Sequence, residues 1–229
     1  YHHNRRRSRR GATATRALGA PPRRCPAICD RRNSTVSETM RLIGGRLKGR
    51  PLATPKDDRI RPTTDRVREA LFNILEHGIE DFEIKGAQVL DLFAGTGALG
   101  IEALSRGAAH AVFVENDASA RALIQTNIEK LGLGGITTLF RRSALQLGKP
   151  ARGRSFNLVF ADPPYGQGLG EAAIQAAITD GWLAPGAVIV LEEAAKAEIA
   201  WPPGVTEIDR RRYGQTQVAI AVWHGSNGG

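Results

Sequence analysis

From Gln88 onward the chain alternates short apolar, β-branched runs with longer stretches whose apolar positions recur at helical spacing. The runs predict strands at Gln88–Phe93, Ala111–Glu115, Thr137–Phe140, Phe156–Ala161, Ala187–Leu191, Val205–Arg211 and Thr216–Trp223. Helices are predicted between them at Ala98–Arg106, Ala118–Leu131 and Leu169–Ala177, the second carrying Ala118, Ala122, Ile124 and Ile128 near helical spacing. Strands separated by helices build a parallel sheet covered by helices, so the fold class is α/β, with seven strands in one sheet. The last two runs are joined by Tyr213-Gly214-Gln215, which has no room for a crossover helix and predicts an antiparallel hairpin at one edge. Upstream, Thr63 or Thr64 can cap a further helix, Asp65 suits its N-terminal dipole, and Val67, Leu71, Ile74 and Leu75 make one apolar stripe.

Charge changes the picture of the chain's two ends. The formal net charge is +9 over 229 residues, but residues 1–39 hold ten Arg against Asp30 and Glu38, a net of +8. The remainder is nearly neutral, with its excess of basic residues concentrated in 40–68. Arg46, Lys48, Arg50, Arg61, Thr63, Arg66 and Arg68 therefore form a candidate phosphate-contacting surface. The Arg-rich start has no apolar periodicity and is expected to be disordered. It reads as upstream read-through before Met40, the chain's single Met, with a transit-like leader or a basic RNA-binding arm as the other readings. Cys25 and Cys29 lie in that segment and supply too few ligands for a structural zinc, so no metal is expected. No apolar run approaches the roughly 20 residues of a membrane helix. A cytoplasmic, monomeric protein without membrane attachment is the expectation.

The chemistry is carried by three segments that follow predicted strands. Val89-Leu90-Asp91-Leu92-Phe93-Ala94-Gly95-Thr96-Gly97-Ala98-Leu99-Gly100 runs from a strand through a Gly-rich turn into a helix, the form of a nucleotide-binding loop. Glu115 closes the next strand, where a carboxylate can accept both hydroxyls of a ribose. Asp162-Pro163-Pro164-Tyr165 follows the fourth strand. Its prolines remove two N–H donors and aim the neighbouring carbonyls, Asp162 adds carboxylate acceptors, and Tyr165 offers a flat face for a planar base. The glycine spacing alone also fits a dinucleotide dehydrogenase. Asp91 counts against that, because an acid before the turn suits a ligand bearing an amino group better than a pyrophosphate.

Together these residues resemble the class I S-adenosylmethionine-dependent methyltransferases. More narrowly, Met40-Arg41-Leu42-Ile43-Gly44-Gly45-Arg46 and Arg61-Pro62-Thr63-Thr64-Asp65-Arg66-Val67-Arg68-Glu69-Ala70-Leu71-Phe72-Asn73 resemble the RsmD family of bacterial 16S rRNA guanine-N2 methyltransferases, over about residues 40–223. The resemblance implies S-adenosyl-L-methionine as cofactor and 16S rRNA, or a small-subunit assembly particle, as partner. The modified position would be guanine N2 of the 16S rRNA guanine(966) type. The cofactor residues implied are Asp91, Phe93, Gly95, Thr96, Gly97, Glu115, Asn116, Ser143, Ala144 and Asp162, with Ser143 and Ala144 bordering the adenine. The amine-positioning residues implied are Asp162, Pro163, Pro164 and Tyr165. On this reading the chain divides into a leader (1–39), a basic extension whose helix lies over substrate or cofactor (40–87) and a catalytic domain (88–229). Methylation of adenine N6 or of a glutamine amide, an NAD-dependent oxidoreductase and a non-catalytic RNA-binding protein remain as alternatives.

Overall fold

In the computed structural model, which describes residues 40–55, 65–151 and 153–225, seven strands form one sheet. They are β1 (Gln88–Leu92), β2 (His110–Val114), β3 (Thr137–Phe140), β4 (Phe156–Ala161), β5 (Leu183–Ala194), β6 (Val205–Tyr213) and β7 (Thr216–Trp223). The order across the sheet is β3-β2-β1-β4-β5-β7-β6. The first five are parallel, while β7 runs antiparallel between β5 and β6, which makes the terminal hairpin an edge of the sheet as its short connection requires. Because the chain moves outward from β1 to β3 and then returns to β4, the sheet has its switch point between β1 and β4.

Side chains of successive strand residues face opposite sides, and the core divides accordingly. On one side Val89, Ala111, Phe113, Leu158, Phe160, Val188 and Val190 pack against α1 (Asp65–His77), α2 (Ala98–Ser105) and α3 (Ala118–Leu131). On the other, Leu90, Leu92, Val112, Val114, Val159, Ile189 and Leu191 pack against α4 (Leu169–Thr179) and Trp182. Helices thus cover both faces.

Most predicted elements occur within a residue or two of their expected ends, and the largest difference is β5. It extends beyond the predicted Ala187–Leu191 in both directions, taking in Glu192 and Glu193. Both acids are buried, with Glu193 accepting the Gly166 N–H at 2.8 Å and Glu192 the Tyr165 hydroxyl at 2.6 Å. Tertiary hydrogen bonds let charged residues continue a strand where local polarity would end it.

Residues 40–52 form a small hairpin, closed by Leu42 N–H to Arg50 O and Gly49 N–H to Leu42 O, that lies along α2. Met40 meets Thr96 at the helix's start, with Sδ 4.0 Å from Oγ1, and the tip reaches Ser105 at its end. Glu102, fully buried, accepts the Ile43 and Gly44 N–H groups at 2.9 and 2.7 Å and the Arg106 Nε–H at 2.8 Å. Ser105 Oγ accepts the Leu47 N–H and donates to the Gly44 carbonyl. Gly45, at φ 70°, approaches so closely that a Cβ there would lie 1.9 Å from the Ser105 carbonyl oxygen.

The candidate cap residues Thr63 and Thr64, and Arg61, lie outside the described residues, as does the leader with its two cysteines. Helix α1 itself starts at Asp65. Leu71 and Leu75 of its predicted stripe are buried, Val67 and Ile74 pack at the margin, and Phe72 joins them with its ring 5.8 Å from that of Phe160.

Candidate active site

The parallel register aligns the carboxyl ends of β1, β2 and β4, since Leu92 sits beside both Val114 and Ala161. The segments that follow these strands line one cavity of about 700 Å³. Among the residues expected from sequence, Asp91, Phe93, Gly95, Thr96, Glu115, Asp162, Pro163, Pro164 and Tyr165 form its wall.

The Gly-rich loop is held from two sides. Phe93 takes the left-handed conformation at φ 60°, which L side chains rarely adopt, and Gly95 and Gly97 follow at φ 56° and 76°. The Gly95 N–H donates to Glu115 Oε2 at 2.9 Å and the Asp117 N–H to Oε1 at 2.7 Å, so Glu115 ties the loop after β1 to the loop after β2. From the other side buried Asn127 of α3 donates to the Thr96 carbonyl at 3.0 Å while accepting the Ala53 N–H at 2.7 Å. Gly100 allows α2 to press on the sheet: a Cβ there would stand 2.5 Å from the Phe113 ring and 3.0 Å from Asp91 Oδ2. That closeness lets the Gly100 N–H donate to Asp91 at 3.0 Å.

The cavity is rich in acids. Burial pushes the Asp91 carboxyl up to about 8, the Gly100 hydrogen bond opposing the change and the Glu115 charge adding to it. Asp162 is held well above the ordinary carboxylate range by burial and then by the negative charges of Glu192, Asp91 and Glu193. Burial and the hydrogen bond to Glu192 push the Tyr165 phenol up as well, so it stays a donor and holds the ring in place. A ligand carrying positive charge would relieve Asp91 and Asp162 together.

Several expected residues fall elsewhere. Ser143 and Ala144 do not line this cavity: Ala144 is buried in the core on the α4 side, and Ser143 Oγ accepts the Leu145 N–H at 3.2 Å. Gly97 caps α2 behind the wall, and Asn116 is exposed, its carbonyl accepting from Arg121 at 2.6 Å. Arg46, Lys48, Arg50 and Arg66 are exposed, as phosphate contacts require, and Arg50 also donates to the Lys130 carbonyl. Arg68 corrects the sequence reading. It is fully buried and lines the cavity, so it cannot join an exposed phosphate-binding face. The signal was available: Arg68 stands three, four and seven residues before Leu71, Phe72 and Leu75, inside the apolar stripe of α1. Met40, Asp117, Ser119 and Ala120 also line the cavity, and sequence reasoning missed them. Asp117 was legible as an N-cap, since its carboxylate accepts the Ala120 N–H at 2.8 Å to start α3.

S-adenosylmethionine, the cofactor implied by the fold family, carries a sulfonium, an amino-acid group and an adenosine. Buried carboxyls short of cations, the acidic Glu115 just past β2 and buried guanidinium N–H groups without partners fit such a ligand.

The model of the family described as conserved hypothetical protein 95 matches residues 40–222. The chain is 39% identical over 180 residues to ribosomal RNA small subunit methyltransferase D of Escherichia coli, spanning 79% of this chain and 87% of that protein. It is 33% identical to the same-named protein of Buchnera aphidicola, over 84% and 95% of the two chains. A solved structure from Escherichia coli, provisionally described as the methyltransferase yhhF, superposes with a TM-score of 0.71 at 35% identity, covering 82% of this chain and 99% of that one. The chain therefore belongs to the family of ribosomal RNA small subunit methyltransferase D, and is a methyltransferase of the Rossmann-like class.

Proposed function

We propose that the protein transfers a methyl group from S-adenosylmethionine to the exocyclic N2 of a guanine in small-subunit rRNA, of the 16S guanine(966) type. The observation that carries this reading is the convergence of the Gly-rich loop, Glu115 and Asp162–Tyr165 on one acidic cavity at the switch point of the sheet. When bound, S-adenosylmethionine supplies an electrophilic methyl on a positively charged sulfur. Glu115 accepts from the ribose hydroxyls, the Gly95–Thr96 turn borders the methionine part, and Asp117 and Ser119 extend the adenosine side.

Guanine N2 is a poor nucleophile because its lone pair is delocalised into the ring. The Asp162 carboxylate and the Pro163 carbonyl accept the two N–H bonds of the amino group, hold the nitrogen in line with the methyl and favour a pyramidal geometry. The positive ligand returns Asp162 to its ionised form. Once the sulfonium charge is spent, burial and the neighbouring acids would again raise its proton affinity and make it an acceptor for the proton that leaves the nitrogen. Pro163 and Pro164 keep the acceptors rigid, and Tyr165, anchored through its hydroxyl, stacks on the base after that base leaves its RNA context. Arg46, Lys48, Arg50 and Arg66 contact flanking phosphates, with Arg61 and Thr63 of the same basic segment assigned to that surface on sequence grounds. The protein acts as a cytoplasmic monomer on rRNA or on an assembling small subunit. The basic extension 40–87 serves the substrate and 88–229 the chemistry.

The test incubates the protein with labelled S-adenosylmethionine and unmodified small-subunit rRNA or particles, followed by nuclease digestion and mass spectrometry. Label on guanine N2 is expected. Asp162→Ala should lower turnover by at least about 100-fold while leaving cofactor binding in place. Label on adenine or on protein alone, or normal turnover by the variant, overturns the assignment.

A further inference from the structure

Arg68 is divided between two tasks. Its Nη2 donates to the Arg41 carbonyl at 2.8 Å and pairs with the Asp65 carboxylate. Its Nε and Nη1 are buried and have no hydrogen-bond partner. A guanidinium has five N–H bonds, so the majority of its donors stand idle in a place where water does not reach them. Buried donors are normally paired, and such an exception calls for an absent partner.

The place identifies the partner's chemistry. Arg68 lines the same cavity as Asp91, Glu115, Asp117 and Asp162, and it is the one cation among the described lining residues. An RNA phosphate would have to enter past those acids with no positive charge of its own to offset them. An anion that arrives attached to positive charge meets no such barrier. The amino-acid end of S-adenosylmethionine has that composition: a carboxylate for Arg68, and an ammonium and a sulfonium for the acids opposite.

We propose that Arg68 is the receptor for the cofactor's α-carboxylate, held in position by Asp65 and by the Arg41 carbonyl. This rests on the S-adenosylmethionine reading and adds a specificity-determining residue to it. The prediction is that the site selects for the carboxylate itself and not only for the adenosine.

Isothermal titration calorimetry of the full chain with S-adenosylmethionine and with its decarboxylated analogue tests this. The analogue keeps the adenosine, sulfonium and amino group. The unmodified protein should bind S-adenosylmethionine at least about tenfold more tightly than the analogue. Arg68→Met should weaken S-adenosylmethionine by about that factor and the analogue by less than about twofold, closing the gap. Equal affinities of the unmodified protein for the two ligands overturn the proposal without any variant. So does an Arg68→Met protein that loses both ligands equally and keeps the gap, which would show a structural role. Should Arg68→Met fail to melt cooperatively, Arg68→Lys decides, because it keeps the charge with fewer donors: a narrowed gap supports the assignment and an unchanged one overturns it. If neither ligand binds the unmodified protein, the cofactor reading itself fails, a result distinct from tight binding without discrimination.

Discussion

Asp91 shows what an acidic binding site costs the residues that build it. The unfolded chain ionises this carboxyl near its ordinary value of 3.8, whereas the folded protein keeps its proton until about pH 8. Between those values the folded state binds more protons than the unfolded one. Stability from this group is full below the lower value and falls as pH rises towards the upper, by about 1.4 kcal/mol per pH unit. Asp91→Asn removes the titration. The variant should therefore melt above the unmodified protein by a margin that widens from pH 5 to pH 8, read by thermal denaturation without ligand, while its affinity for S-adenosylmethionine falls. A margin that is constant or narrows with pH would contradict this. Asp91 was legible in the sequence because an acid before a Gly turn suits a ligand bearing an amino group better than a pyrophosphate. Arg68 was misread for the opposite reason. Its basic neighbours suggested a phosphate surface, and its place in the apolar stripe of α1 carried the better information. Buried unpartnered donors cost about 1–3 kcal/mol each, a cost offset by Leu71, Phe72 and Leu75 on the same helix face at roughly 2 kcal/mol apiece.

Among the elements, the hairpin at 40–52 depends most on a single side chain. Glu102 satisfies two backbone N–H groups of the hairpin and holds Arg106, whose Nη1 reaches Glu76 of α1 at 2.8 Å and whose guanidinium lies 4.9 Å from the Phe72 ring. Glu102→Ala leaves those two backbone donors and the Arg106 Nε–H without an acceptor, with Glu76 alone still pairing the guanidinium. It should lower stability by about 3 kcal/mol, seen as a reduced urea midpoint, and weaken RNA binding more than cofactor binding. An unchanged midpoint would mean that the hairpin docks through apolar contacts alone. Nothing local marks Glu102 as buried, because its partners in the hairpin lie 58 and 59 residues away in sequence. The same limit applies to β5, whose continuation through Glu192 and Glu193 depends on the loop after β4. Elements set by local periodicity, such as β4, α3 and β7, begin and end where the sequence places them.

Across the whole molecule, the strand–helix alternation was sufficient to foresee a parallel sheet, and the sheet's switch point explains why segments far apart in sequence share a cavity. What alternation could not supply was the path of the N-terminal hairpin along α2, which depends on side chains of that helix. This path brings the basic segment and the cavity together, Met40 lining the cavity directly and Arg68 joining the two from α1. Arg68 grips the Arg41 carbonyl with one nitrogen and lines the cavity with the rest of its guanidinium. Whatever immobilises one end of that side chain lowers the entropy lost when the other end is engaged. Reciprocity then requires that the factor by which S-adenosylhomocysteine tightens RNA binding equal the factor by which RNA tightens S-adenosylhomocysteine binding, and a value of about 5 is expected. RNA filter binding with and without the nucleoside, set beside calorimetry with and without RNA, measures both. Arg68→Met should return each factor to one. The ternary complex would then accumulate at the expense of either binary one, so that neither a loaded protein without RNA nor an RNA complex without methyl donor is the resting state.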